Sequence, residues 1–168
     1  ACLAGEDIQG WLYHAEAKEY ELAWRHLTKQ NPMPAIMGRV CYHPCQGACN
    51  RLKVDREVGI NSVERFLGDE ALKQGWQFDP PATKTGKRVL VVGSGPSGLS
   101  AAYHLAMLGH DVTIRDSADK PGGMMRYGIP AYRLPRDIID AEIDRIMKIG
   151  VKLECNAKVT DIPAAFAE

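Results

Sequence analysis

Between an apolar run, Arg88-Val89-Leu90-Val91-Val92, and an apolar helical segment beginning at Leu99, the chain reads Gly93-Ser94-Gly95-Pro96-Ser97-Gly98. That is G-x-G-x-x-G directly after a strand pattern and directly before a helix, the context in which this spacing binds a dinucleotide. Gly93 allows the tight turn, Gly95 lets the backbone approach a pyrophosphate, and Gly98 permits close helix–strand packing. The N-terminus of the helix favours the phosphate charge. A second β-rich run, Asp111-Val112-Thr113-Ile114, ends near Asp116, close to the position about 20 residues on where an acid binds ribose hydroxyls. An acid there favours an adenosine ribose without a 2′-phosphate, so FAD or NAD fits this turn and NADP does not. A bare glycine motif would also suit an ordinary strand–helix turn; strand, helix and acid together carry the dinucleotide reading.

Strand, glycine turn, helix, strand, long loop, helix and strand is the alternation of a parallel α/β sheet. The long loop contains Pro121-Gly122-Gly123-Met124-Met125-Arg126-Tyr127-Gly128-Ile129-Pro130 and then Ala131-Tyr132-Arg133-Leu134-Pro135. Loops of this length usually carry function, and paired glycines allow close backbone approach to a ligand. Pro135 opens a helix whose stripe of Ile138, Ile139, Ile143, Ile146 and Met147 is core packing. Cys155, in a short β-like run, reads as a small buried hydrophobe.

The first half has a different character. Ile8, Trp11, Leu12 and Ala15, then Tyr20, Leu22, Ala23, Trp24 and Leu27, recur at helical spacing and predict two amphipathic helices packed as a hairpin. Asn31-Pro32-Met33-Pro34 stops the second. A further helix is expected from Asn61 to Gln74, with Asn61 or Ser62 as N-cap, Val63, Phe66, Leu67, Ala71 and Leu72 as its apolar face, and Gly75 closing it. The Pro-, Gly- and Lys-rich run from Gly75 to Lys87 reads as a linker, dividing the chain into residues 1–84 and 85–168.

Four of the five cysteines, Cys2, Cys41, Cys45 and Cys49, fall in the first third of the chain. An odd count without a secretion signal argues for metal or cluster ligation in a reducing cytoplasm rather than a disulfide framework. Cys41, Cys45 and Cys49 at i, i+4 and i+8 would stretch over roughly 12 Å of a straight helix, too long for one compact centre. Pro44 and Gly47 bend the segment, and the thiols can serve more than one centre. Spacing alone leaves structural zinc, an iron–sulfur cluster and ligand-free burial open; His43 reads as a surface histidine beside the site.

Lys plus Arg number 21 and Asp plus Glu number 21, for a formal net charge of zero, which removes the electrostatic case for nucleic acid or an anionic membrane. No window approaches the roughly 20 apolar residues of a membrane span. The start, Ala1-Cys2-Leu3 without Met, reads as processed or truncated.

In this order, Gly38-Arg39-Val40-Cys41 with Cys45, Ala48 and Cys49, then Ile60-Asn61-Ser62-Val63-Glu64-Arg65-Phe66, the glycine turn with its helix, and Gly122-Gly123-Met124-Met125-Arg126-Tyr127-Gly128-Ile129-Pro130 resemble the glutamate synthase small (beta) subunit family. The same module is similar to the N-terminal part of dihydropyrimidine dehydrogenase and to the flavoprotein subunit of electron-bifurcating ferredoxin:NADP oxidoreductases. The resemblance implies a helical [4Fe–4S] domain followed by a Rossmann-like, doubly wound FAD domain, here incomplete, with electrons passing from nicotinamide to FAD and on to the clusters. Among the thiol readings it selects iron–sulfur.

By position, the resemblance implies that Cys2, Cys41 and Cys45 ligate one cluster, with Glu64 as the non-cysteine fourth ligand. Cys49 would serve a second cluster whose other cysteines the family places upstream. Leu3 and Tyr42 stand where the family often has Pro. Gly93, Ser94, Gly95, Pro96, Ser97 and Gly98 would hold the FAD pyrophosphate and Asp116 the ribose, where Glu is commoner. Met124 and Arg133 map to flavin contacts and Val159 to the adenosine side. NAD(P)H would bind through a domain that this chain does not include, so the sequence reads as part of a longer cytoplasmic oxidoreductase with a larger catalytic or electron-accepting partner. Two alternatives differ in class: a cofactor-free docking or structural fragment, and a zinc-bearing scaffold with an NAD-binding half.

Overall fold

The structure is a computed structural model that describes residues 1–167. Two compact units follow one another along the chain, the first Ala1–Trp76 and the second from Gln77 onward.

Helices α1 (Ile8–Glu16) and α2 (Tyr20–Leu27) form the expected hairpin. Asp7 caps α1 by accepting the Gly10 N–H at 3.1 Å, which satisfies one of the donors a helix start leaves open. Lys18 takes a positive φ of 62° between the two helices. After the prolines, α3 (Pro34–Val40) leads into the cysteine segment. Cys41 is extended, His43 is left-handed at φ 50°, and α4 (Pro44–Gly47) starts at Pro44, so the bend predicted for the thiols is present. A 3-10 turn, Asn50–Lys53, separates this region from α5 (Ile60–Gln74). Trp11, Ala23, Leu27, Ile60 and Leu67 make the core between α1, α2 and α5.

α3 and α5 cross backbone to backbone at two glycines. A Cβ on Gly68 would lie 2.3 Å from the Ala35 amide nitrogen, and one on Gly38 would lie 2.5 Å from the Arg65 Cα. Arg39 crosses the same seam to Asp69 in a bidentate pair at 2.6 and 3.0 Å. Two expectations are corrected here. α5 begins at Ile60 with Gly59 as its N-cap, rather than with Asn61 or Ser62 in that place. Asn61 instead uses its N–H on the Gln46 side chain at 2.9 Å and its amide on the Met37 carbonyl. Phe66, placed on the apolar face, is 44% exposed, edge-on to Tyr20 at 5.0 Å between ring centroids.

The second unit is a parallel three-stranded sheet in the order β1 (Arg88–Val92), β2 (Asp111–Arg115), β3 (Lys152–Glu154). Val91 pairs with Ile114, and Ile114 with Leu153. Parallel neighbours need crossovers; these are α6 (Pro96–Met107) between β1 and β2, and α8 (Arg136–Met147) between β2 and β3. The long loop between β2 and α8 holds one short helix, α7 (Met124–Tyr127), and α9 (Ile162–Ala167) follows β3. Val91, Val112 and Ile114 from the sheet and Leu99, Ala102, Ile139, Ile143 and Ile146 from the helices form the core. Part of the linker is bound to this unit: the Phe78 ring lies 4.8 Å from that of Tyr103, and the Thr85 N–H donates to the Gly109 carbonyl at 2.9 Å. The apolar stripe of α8 also carries a fully buried ion pair, Arg145 to Glu142 at 3.0 Å, which the periodicity did not indicate.

Candidate functional site

In the first unit all four clustered thiols are free and half-buried. Burial first, and then the neighbouring Cys2 and Cys41 sulfurs, raise the pKa of Cys45 above the usual thiol range, so these three thiols share one electrostatic neighbourhood. Cys49 stands apart. Backbone N–H groups of Val58 and Arg51 lower its pKa by hydrogen-bonding the sulfur. Cys41 accepts the His43 N–H at 3.3 Å. Among the described residues, no three Cys, His, Asp or Glu side chains gather around a point for a single metal ion. The imidazole of His43 is not part of any such group.

Glu64 is not a solvated helix residue. It is 6% exposed on the inner face of α5, and Asn31 donates to its Oε1 at 2.8 Å. Burial, then the nearby carboxylate of Glu6, pushes its pKa up to about 8 against the opposing Asn31 hydrogen bond. Glu6 is also raised by burial, against hydrogen bonds with Asn31 and the Cys2 thiol. The chain Cys2, Glu6, Asn31, Glu64 is therefore one polar cluster, buried at Asn31 and Glu64 and half-buried at Cys2 and Glu6. Two carboxylates with an amide between them are a costly thing to bury, since a buried charge needs a partner of opposite sign. That donor set and the three neighbouring thiols suit a cationic iron centre. Sequence reasoning found Glu64 through its motif and missed Glu6, Asn31 and Gln46, whose only local signal was the Asn-Pro turn ahead of α3.

In the second unit the C-terminal ends of the strands meet the glycine turn. In open α/β sheets ligands bind outside these ends. Gly93 has φ +97°, and a Cβ on Gly98 would sit 1.9 Å from the Gly93 carbonyl oxygen, so both glycines are required by geometry. Gly95 is the N-cap of α6 and Pro96 its first residue, with no side chain capping the helix. The first-turn amides, with Ser97 exposed beside them, present the donors a phosphate uses. The second glycine pair touches the first: Gly123, at φ +48°, would place a Cβ 2.7 Å from the Gly95 Cα, and the Gly122 N–H donates to the Ser94 carbonyl at 3.0 Å.

Asp116 stands at the end of β2 as expected, already engaged. Its Oδ2 accepts from the Ser94 N–H and hydroxyl, each at 2.5 Å, and its Oδ1 accepts the Ala118 N–H at 2.8 Å. Partial burial raises its pKa, and the three hydrogen bonds outweigh that, holding the carboxyl below its usual range. Ser94 itself is fully buried. Met124 is 70% exposed and Arg133 is exposed on the same loop. The loop is held from beneath: Arg126, buried, donates to the Pro121 carbonyl and pairs with Asp140. Arg136 donates to the carbonyls of Met125, Leu134 and Ile129 at 2.8–3.2 Å. Val159, half-buried after β3, lines a cleft with Arg115, Glu154 and Lys158. The sequence indicated the presented residues and not these two arginines.

Two family models match the chain in succession. Residues 1–76 match the dihydropyrimidine dehydrogenase domain II 4Fe–4S cluster family, and residues 91–136 match the NAD(P)-binding Rossmann-like domain. Over 94% of its length the chain is 38% identical to the NADH-dependent glutamate synthase of Schizosaccharomyces pombe, of which it covers 8%. It is 36% identical to the PreT subunit of NAD-dependent dihydropyrimidine dehydrogenase from Salmonella typhimurium, over 95% of this chain and 39% of that one. It is 35% identical to the small chain of NADPH-dependent glutamate synthase from Bacillus subtilis, over 97% of this chain and 36% of that one. The chain thus spans well under half the length of these relatives. No helix among the described residues is long and apolar enough to cross a membrane.

Proposed function

From its similarity to glutamate synthases and to the PreT subunit, and from its match to a 4Fe–4S cluster family, we propose that the chain forms the cluster-bearing and FAD-binding part of an NAD(P)H-dependent electron-transfer subunit. The observation that carries this reading is the pairing, on one chain, of a thiol and carboxylate cluster in a helical unit with a glycine turn whose strand, helix and acid are all in place. Bound FAD would supply two-electron chemistry, taking one hydride from NAD(P)H, and iron–sulfur clusters would supply one-electron transfer.

Cys2, Cys41 and Cys45, as thiolates, hold one [4Fe–4S] cluster with Glu64 as fourth ligand. Cys49, its thiolate favoured by backbone N–H groups, serves a second. Such N–H donors to sulfur tune cluster potential. Gly93 to Gly98 cradle the FAD pyrophosphate through backbone amides, and Asp116, with one acceptor site left after Ser94 and Ala118, takes a ribose hydroxyl. Met124 and Arg133, on the loop that Arg136 fixes, would contact the flavin, and Val159 the adenosine side. No residue is assigned acid–base or nucleophilic work. A larger partner subunit or domain accepts the electrons, and the setting is cytoplasmic.

An anaerobic absorption spectrum of the holoprotein, with iron, sulfide and flavin quantified on the same sample, tests the proposal. Oxidised-flavin bands and a broad cluster absorbance bleached by dithionite support it. Stoichiometric zinc without flavin, or a colourless protein, overturns it in favour of a scaffold or docking piece.

A further inference from the structure

The reading of Glu64 as a cluster ligand leaves open what aims its carboxylate. Glu64 projects from α5, whereas Cys41 and Cys45 belong to the segment after α3 and Cys2 precedes α1. The α3–α5 crossing and the Asn61–Gln46 hydrogen bond hold the helices to the cysteine segment, but only a contact on the carboxylate itself can aim it. We propose that Asn31 is that contact, a positioning residue that holds the Glu64 carboxylate in place for the iron–sulfur cluster.

Asn31 is 5% exposed, and its two ends have different duties. Its Oδ1 accepts the Met33 N–H at 3.1 Å, closing the turn that starts α3. Its Nδ2 donates to Glu64 Oε1 at 2.8 Å, leaving Oε2 for another partner. The same side chain hydrogen-bonds Glu6, which in turn reaches the Cys2 thiol. One amide therefore ties the Cys2 segment, the entry to α3 and the inner face of α5 together. A residue needed only for the turn would require the oxygen and not the donor. Groups that orient a metal ligand through hydrogen bonds are worth about 10- to 100-fold in metal affinity or activity.

The proposal rests on Glu64 being a ligand, and its test separates the two claims. Asn31→Asp keeps the acceptor for Met33 and replaces the donor facing Glu64 with an oxygen. In the anaerobically reconstituted holoprotein, this variant is expected to lose iron to a ferrous chelator about 10-fold or more faster than the parent. It is also expected to show changed g values in the electron paramagnetic resonance spectrum after dithionite reduction, a signature that a folding role alone does not move. Should Asn31→Asp fail to fold, Asn31→Ser, which shortens the side chain out of reach of Glu64 without adding charge, is read by the same two measurements. Parental g values and iron loss in the Asn31 variant, with both altered in Glu64→Ala, refute the positioning role and leave the ligand. Parental values in Glu64→Ala as well refute the ligand and the proposal with it.

Discussion

Replacing Gly68 by alanine adds one methyl group at the tightest point of the helical unit. The new Cβ would stand 2.3, 2.5 and 2.7 Å from the Ala35 nitrogen, the Ala35 Cα and the Pro34 carbonyl carbon. These are backbone atoms with no rotamer to give way. Carbon contacts settle at about 3.5–4.0 Å, so α3 must retreat from α5 by roughly 1 Å. Overpacking of this kind costs about 1–3 kcal/mol, and the retreat also loosens Ile36 and Leu67, both fully buried. Because the clash is with backbone, the cost lies at the upper end of that range, and after alanine returns about 0.8–1.0 kcal/mol of helix propensity a net loss of about 2 kcal/mol remains. For a unit of this size that lowers the unfolding midpoint by about 5–15 °C. Trp11, Trp24 and Trp76, the three tryptophans of the chain, all lie in the first unit. Denaturant unfolding followed by tryptophan fluorescence therefore reports this unit. Gly47→Ala is the matched control, because a Cβ there meets nothing within 4 Å, and it should be neutral or stabilising by up to about 1 kcal/mol. A Gly68→Ala protein as stable as its parent would refute the argument that backbone contact sets the crossing.

The second unit offers three further tests. Gly98→Ala drives a Cβ into the Gly93 carbonyl and should abolish flavin retention, read as flavin per protein after gel filtration; full retention would remove the glycine turn from the site. Ser94→Ala deletes one of three hydrogen bonds to Asp116 and should raise the carboxyl pKa toward its ordinary value in a carbon-13 NMR titration. Because the folded-state value is depressed, the stability Asp116 contributes is present above its unfolded pKa and fades as pH falls through the folded one, so the deficit of Ser94→Ala should shrink in acid. Glu142→Leu removes the carboxylate that pairs with the buried Arg145 guanidinium and should cost about 3–5 kcal/mol in denaturant unfolding, while Glu142→Leu with Arg145→Met recovers most of it; equal losses in the two proteins would contradict that account.

What the sequence made legible was local. The glycine turn, its acid and the helical periodicities act over a few residues, and apart from the start of α5 and Phe66 they appear where the pattern put them. The Rossmann-like sheet follows from their alternation, and the two-helix hairpin from its apolar spacing. What escaped depends on contacts between distant segments. Asn31 and Glu64 are 33 residues apart, and nothing near either announces the other. Phe66 fits an apolar stripe by spacing yet lies toward solvent, because the Gly38–Gly68 crossing rotates α5 to present Glu64, Leu67 and Ala71 inward. Arg126 and Arg136 look like surface charges in the sequence. In the fold their guanidinium groups satisfy backbone carbonyls that a long loop would otherwise leave open.

The contact between Gly123 and Gly95 has a consequence for descent as well as for binding. A side chain at Gly123 would displace the first turn, whereas one at Gly95 would come no closer than 4.0 Å to Gly123, so the second turn is fitted to the first and the stretch that joins them behaves as one heritable piece. A recombination joint placed between them would pair two halves that had never been fitted to each other. Substitutions in this module should accordingly be tolerated on the outward faces of α6 and α8, and divergence at Gly123 should occur only alongside a matching change in the first turn.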